Sequence, residues 1–112
     1  MFARAQRLSR ADFPTLYKRG RRASTQGLSL VYTPAPEFKA AVVVGKKVAK
    51  SAGARNRLKR RWRALLREAH IGRGYIIVTA APAAAAYSYA ALREALTAAL
   101  RQARIGSGSA SR

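Results

Sequence analysis

One stretch limits what this chain can fold into more than any other. It runs from Gly45 to Ala69 and reads GKKVAKSAGARNRLKRRWRALLREA. From Ala54 onward its spacing is helical. Projected at about 100° per residue, Leu58, Trp62, Leu65, Leu66 and Ala69 fall within one arc. Asn56, Lys59, Arg60, Arg63 and Arg67 fall on the opposite side, and no acid interrupts the cations before Glu68. One face is therefore built to enter a core while the other shows a continuous cationic row. Two short apolar runs bracket the stretch, Ala40–Val44 before it and Tyr75–Thr79 after it. Nearly continuous apolar runs of this length are what strands inside a sheet look like. The local unit is thus strand, basic helix, strand. Parallel pairing of the two strands is expected, because a whole helix lies between them.

The rest of the chain is placed around that unit. Residues 1–8 read as a mobile basic arm. Pro14 is tolerated only near a helix start, so a first helix begins around Arg10–Asp12, with Phe13, Leu16 and Tyr17 on its apolar side and Gly20 closing it. Arg21 to Thr33 reads as extended, with Leu28, Leu30 and Tyr32 alternating with Ser29, Val31 and Thr33. Pro34 and Pro36 make a turn. The basic helix starts at Ser51–Ala54 and ends at Ala69; Gly72 and Gly74 then turn the chain. Ala80–Ala86 is a connector. Ser88 is the N-cap of a last helix carrying Tyr89, Leu92, Leu96, Ala99, Leu100 and Ala103 on one face. The tail over 106–112 reads as disordered. The expectation is an α+β fold with one mixed sheet, a single domain over 9–105.

Charge points to the partner. The 112 residues hold 23 Lys plus Arg and 4 Asp plus Glu, a formal net charge of +19. An acid-free cationic row on such a chain attracts polyanions, because neutralising phosphates releases condensed counterions. Nucleic acid is the first class of partner; an anionic membrane is the weaker one. With no cysteine there is no disulfide framework and no thiolate metal site. That suits a cytoplasmic setting. No apolar run is long enough to span a membrane, and MFARAQRLSR has no apolar segment of the kind a secretory signal needs.

The residues for protein-based catalysis are lacking. The acids Asp12, Glu37, Glu68 and Glu94 lie on separate elements, which argues against a paired-carboxylate site. The lone His70 suits a helix C-terminus. Gly45-Lys46-Lys47 lacks the spacing of a phosphate loop. Single-stranded nucleic acid needs stacking surfaces as well as charge. Phe13, Tyr17 and Tyr32 are candidates, although an i, i+4 aromatic pair is also what a small core uses. Trp62, mid-arc, belongs to the core.

With these residues in view, the chain resembles the bacterial ribonuclease P protein family. Lys46-Lys47, Gly53, then Ala54-Arg55-Asn56-Arg57-Leu58-Lys59-Arg60 and Arg63 carry the resemblance, with Arg55-Asn56-Arg57 as the family's RNR motif. Arg7-Leu8, Asp12-Phe13, Gly20, Leu30-Val31-Tyr32 and Tyr75-Ile76-Ile77-Val78 support it in the right order. The resemblance implies an αβββαβα domain with a left-handed strand–helix–strand crossover, against the general rule. It implies help in removing the 5′ leader of precursor tRNA. The chemistry is done by a catalytic RNA subunit that holds the Mg2+ ions. Arg55, Asn56, Arg57, Lys59, Arg60, Arg63 and Arg67 are then expected on that RNA. Phe13, Tyr17, Tyr32, Lys46 and Lys47 are expected to line a cleft for the leader. No protein partner and no membrane is required. The connection from His70 to Arg73 is shorter than in many relatives and lacks their charged extension. A ribosomal or ribosome-assembly protein of related fold, sharing the charge but not the cleft, is the alternative. A membrane-binding amphipathic helix and a helix-turn-helix DNA binder rank below it, since the basic helix is embedded between strands.

Overall fold

A computed structural model of the chain describes residues 7–103. Most of the expected arm and the whole expected tail lie outside the described residues. A 3-10 turn, Arg10–Asp12, leads into α1 (Phe13–Arg19); β1 (Arg21–Ser24), β2 (Leu28–Thr33), β3 (Phe38–Val43), α2 (Ala52–Glu68), β4 (Gly74–Ala80) and α3 (Tyr89–Gln102) follow. The expected order of helices and strands is the observed one. The connector ahead of α3 is itself a 3-10 turn, Pro82–Ala86, with Ala84 buried beneath it.

The strands form one sheet in the order β1-β2-β4-β3. β1 with β2 and β2 with β4 are antiparallel; β3 and β4, joined through α2, are parallel. One expectation needs correcting. The apolar run that becomes β3 reads as an interior strand, yet β3 stands at the sheet's edge. Its outer side is partly covered from elsewhere: Arg7 bridges Ala40 in parallel, and the Leu8 N–H donates to the Ala40 carbonyl at 3.0 Å. Leu8 is buried. Arg7 and Leu8, assigned from sequence to a mobile arm, thus belong to the folded unit. They help to satisfy an edge that would otherwise invite pairing.

Side-chain alternation splits the core in two. Leu28 and Leu30 of β2 and Ile76, Val78 and Ala80 of β4 face α2 and α3 in the main cluster. Leu16, Leu8, Val31 and Ile77 make a smaller cluster on the other face, under α1. β4 is therefore buried on both faces, which its apolar run requires. α2 delivers the arc read from its spacing: Leu58, Trp62, Leu65 and Leu66 are buried. Ser51 caps it by accepting from the Ala54 N–H at 3.1 Å, and Ser88 caps α3 by accepting from the Ala91 N–H at 3.1 Å. Each such cap satisfies an N–H that has no partner within the helix. Gly74 closes the helix-to-strand turn at φ 127°. A Cβ there would enter the Tyr32 ring, so glycine is required by backbone and by space.

Candidate nucleic-acid interface

Packing α2 through its apolar arc leaves its cations outward. Asn56, Arg57, Arg60, Arg61 and Arg67 are exposed; Arg55, Lys59 and Arg63 are half-buried. Glu68, the acid that ends the row, turns toward α3, where the Arg93 Nε lies 3.2 Å from its carboxylate. Glu37 is held by Lys39 at 3.7 Å. Both carboxylates are thereby drawn aside from the row, so its field is not cancelled locally.

Arg55 differs from its neighbours. Its guanidinium donates to the Ala49 and Lys50 carbonyls at 3.0 and 2.8 Å. It therefore clamps the loop between β3 and α2 against the helix. In that loop Lys46 and Lys47 are exposed, on a turn where the Val48 N–H donates to the Gly45 carbonyl at 3.1 Å. The clamp fixes the end of the loop that carries those lysines. Arg61, outside the residues expected to bind, lines a small groove with Arg57, Ala49 and Ala85.

The second surface is the α1 face of the sheet. α1 rests on β2 and β4 through Leu16. Beyond it the register aligns a row across all four strands: Ser24 opposite Ser29, Ser29 opposite Thr79, Thr79 opposite Val43. Ser24 and Ser29 are exposed; Thr79 and Val43 are half-buried. Phe13 and Tyr17 stand on α1 with ring centroids 6.2 Å apart at 78°. Phe13 packs against the small cluster, while Tyr17, 38% exposed, is available to solvent. Tyr17 walls a groove of about 320 Å³ with Arg22, Ser24, Ser29, Val31 and Gln102. The groove is a stacking surface with polar groups on its floor, the combination that suits an unpaired nucleotide.

Tyr32 does not join Phe13 and Tyr17. A strand alternates with period two, and Tyr32 is in phase with Leu28 and Leu30, so its ring packs against the main cluster. Its hydroxyl donates to the Arg73 carbonyl at 2.8 Å, and the Arg21 guanidinium lies 5.9 Å from its ring centroid. The expected cleft of three aromatics holds two of them. On the α1 face the structure instead places Tyr75, with the Lys39 ammonium 5.8 Å from its ring centroid. Alternation within β4, where Ile76 and Val78 point inward to the main core, was the signal for Tyr75.

The chain is similar in sequence and fold to proteins of one family. A family model described as Ribonuclease P matches residues 2–104. The ribonuclease P protein component of Thermus oshimai is 38% identical over 85 residues, covering 76% of this chain and 56% of the relative. That of Synechococcus elongatus is 43% identical over 70 residues, covering 56% of this chain and 57% of the relative. The chain thus spans little more than half the length of these curated relatives. Among solved structures, the Staphylococcus aureus RNase P protein superposes with a TM-score of 0.80 at 26% identity, covering 91% of this chain and 98% of that one. The Thermotoga maritima RNase P protein, at 23% identity and a TM-score of 0.75, shares the fold over 86% of this chain and 96% of that one.

Proposed function

The chain belongs to the ribonuclease P protein family, and from that premise we propose that it is the protein subunit of a ribonuclease P, assisting removal of the 5′ leader from precursor tRNA. The outer face of α2 docks on the catalytic RNA through Arg57, Lys59, Arg60, Arg63 and Arg67, with Asn56 and Arg61 beside them. Arg55 acts one step back, by holding the Lys46–Lys50 loop in place. The α1 face takes the single-stranded leader, with Tyr17 as the accessible stacking surface and Phe13 behind it. The observation that carries the reading is the acid-free cationic face of α2, set beside an open sheet face on this family's fold.

The division of labour follows from charge. A catalytic RNA repels its anionic substrate. A cationic subunit beside the site lowers that repulsion and adds contacts that hold the leader in place. The chain's own donors do not fit a magnesium site: among the described residues no three of His, Cys, Asp and Glu converge, and Glu37 and Glu68 face Lys39 and Arg93. We therefore place the magnesium ions of the reaction on the RNA and assign no bond-breaking step to a protein side chain. Among the described residues no helix is long and apolar enough to cross a membrane. A cytoplasmic assembly of this chain, the RNA and precursor tRNA, with no further protein, completes the proposal.

The test is reconstitution. Chain and ribonuclease P RNA together should release the correct leader at a magnesium concentration where the RNA alone is slow. An RNA activity that the chain leaves unchanged across a magnesium titration would overturn the proposal.

A further inference from the structure

The connection from α2 to β4 is short and tied down at several points. His70 and Gly72 take positive φ, 51° and 87°, and Gly74 adds a third, 127°. Between them Ile71 turns inward and is buried in the main cluster. The Tyr32 hydroxyl donates to the Arg73 carbonyl at 2.8 Å, and the Gly74 N–H donates to the Glu37 carbonyl at 3.0 Å. These ties fix the backbone and leave His70 and Arg73 exposed. The two acids beside the turn are engaged elsewhere: Glu68 faces Arg93 and Glu37 faces Lys39.

Among the described residues His70 is the one non-glycine residue at positive φ. Just past a helix end that conformation usually belongs to glycine, because a Cβ there crowds the following carbonyl oxygen. A histidine at this place costs the fold something that glycine would not. Such strain clusters at functional sites. His70 follows Arg63 by seven residues, two helical turns, so it stands where the outward row of α2 ends. Arg73 comes next on the fixed turn. We infer that His70 and Arg73 prolong the α2 row past the end of the helix and contact phosphates of the catalytic RNA there. The inference rests on the reading of α2 as the face that docks on that RNA. It gives the short connection a role of its own: a rigid turn presents its donors without the ordering cost of a long charged loop.

The experiment measures binding of the full chain to ribonuclease P RNA across a salt titration, beside its melting temperature. His70→Gly separates fold from contact, because the two readouts should part. Relief of the strained φ should raise Tm by roughly 3–6 °C, net of the freedom that glycine adds to the unfolded chain. Loss of the imidazole should raise Kd about 3- to 10-fold, the worth of one polar contact. Arg73→Gln keeps the backbone carbonyl that Tyr32 holds. Its Kd should rise by a similar factor, and its salt slope should fall by about one. Arg101, exposed on α3, supplies the control for net charge: Arg101→Gln should bind within about twofold of wild type, since distant charges are screened. Wild-type binding by either variant, or a control that weakens binding as much as they do, overturns the inference. So does a His70→Gly chain that loses stability together with affinity, since the side chain would then serve the fold. Variants that bind the RNA normally but weaken precursor and mature tRNA alike in the holoenzyme place the turn on tRNA and overturn it as well. Reversal of Arg57 and Arg60 to Glu tells the two failures apart. If that reversal alone lowers RNA binding, the docking face stands and only the inference falls; if it too leaves binding untouched, the docking face fails and the inference with it.

Discussion

Replacing Arg55 by alanine should behave unlike replacing any other arginine of the α2 row. The Arg55 guanidinium makes two bonds, to the Ala49 and Lys50 carbonyls at 3.0 and 2.8 Å. Hydrogen bonds to a charged group contribute about 1.5–3 kcal/mol when shielded. Arg55 is half-buried and the Lys50 contact is exposed, so about 1–2 kcal/mol for the pair is the reasonable figure once solvent screening is allowed for. In a domain of this size that lowers Tm by roughly 5–10 °C. It also releases the loop bearing Lys46 and Lys47, so RNA affinity falls although no direct phosphate contact has been removed. Arg60, exposed and outward, should show the reverse pattern: Arg60→Ala leaves Tm unchanged and reduces the salt slope of RNA binding by about one. Calorimetry of the free chain, paired with binding to the ribonuclease P RNA across a salt titration, measures both. If Arg55→Ala melts with wild type while Arg60→Ala loses stability, the division between clamp and contact is wrong.

Four further outcomes are expected. Reversing Arg57 and Arg60 together to Glu should keep the fold, since the apolar arc of α2 is intact, while RNA affinity drops steeply with a smaller salt slope; unchanged binding across the titration would remove this face from the interface. Tyr32→Ala should lower stability by about 2–4 kcal/mol, somewhat under the loss for a fully buried aromatic, and leave the precursor-to-mature affinity ratio alone. Tyr17→Ala should do the opposite and weaken leader binding by about 1–3 kcal/mol; melting curves and that ratio, measured on both variants, decide the assignment. The RNA-free chain should cut no phosphodiester at any magnesium concentration, and correct cleavage of precursor tRNA by it would return the chemistry to the protein.

What could be read from sequence was whatever depends on near neighbours. The α2 arc is a local property of period 3.6, so Leu58, Trp62, Leu65 and Leu66 are legible in the sequence. The cap at Ser88 is local too. β3 shows the limit: a short apolar run looks the same in the middle of a sheet as at a covered edge, and the cover, Arg7–Leu8, lies some thirty residues away in sequence. Tyr32 is a different case. Its phase with Leu28 and Leu30 was visible and pointed to the main core, and the family resemblance argued it into the cleft. Arg55 was grouped with the surface cations by its place in the run. Projected on the helix it falls inside the apolar arc, between Trp62 and Leu66, which sets it apart from the outward cations. The row of Ser24, Ser29 and Thr79 could not be foreseen, because it exists only through the pairing of β1, β2 and β4.

The arrangement of the few acids ties fold to function. A net charge of +19 repels itself and weakens the compact state. Carboxylates scattered among the cations would relieve that strain but would also cancel the field offered to a polyanion. Here Glu37 is engaged by Lys39 on the sheet, and Glu68 joins Arg93 across α2 and α3. Asp12 sits at the start of α1, where the helix dipole favours an anion. These acids support local structure without entering the α2 row. In the proposed assembly phosphates would relieve the remaining repulsion and link binding to folding: RNA that binds only the folded chain stabilises it by mass action. In the proposed assembly, the cations that weaken the free chain are those through which the RNA would hold it folded.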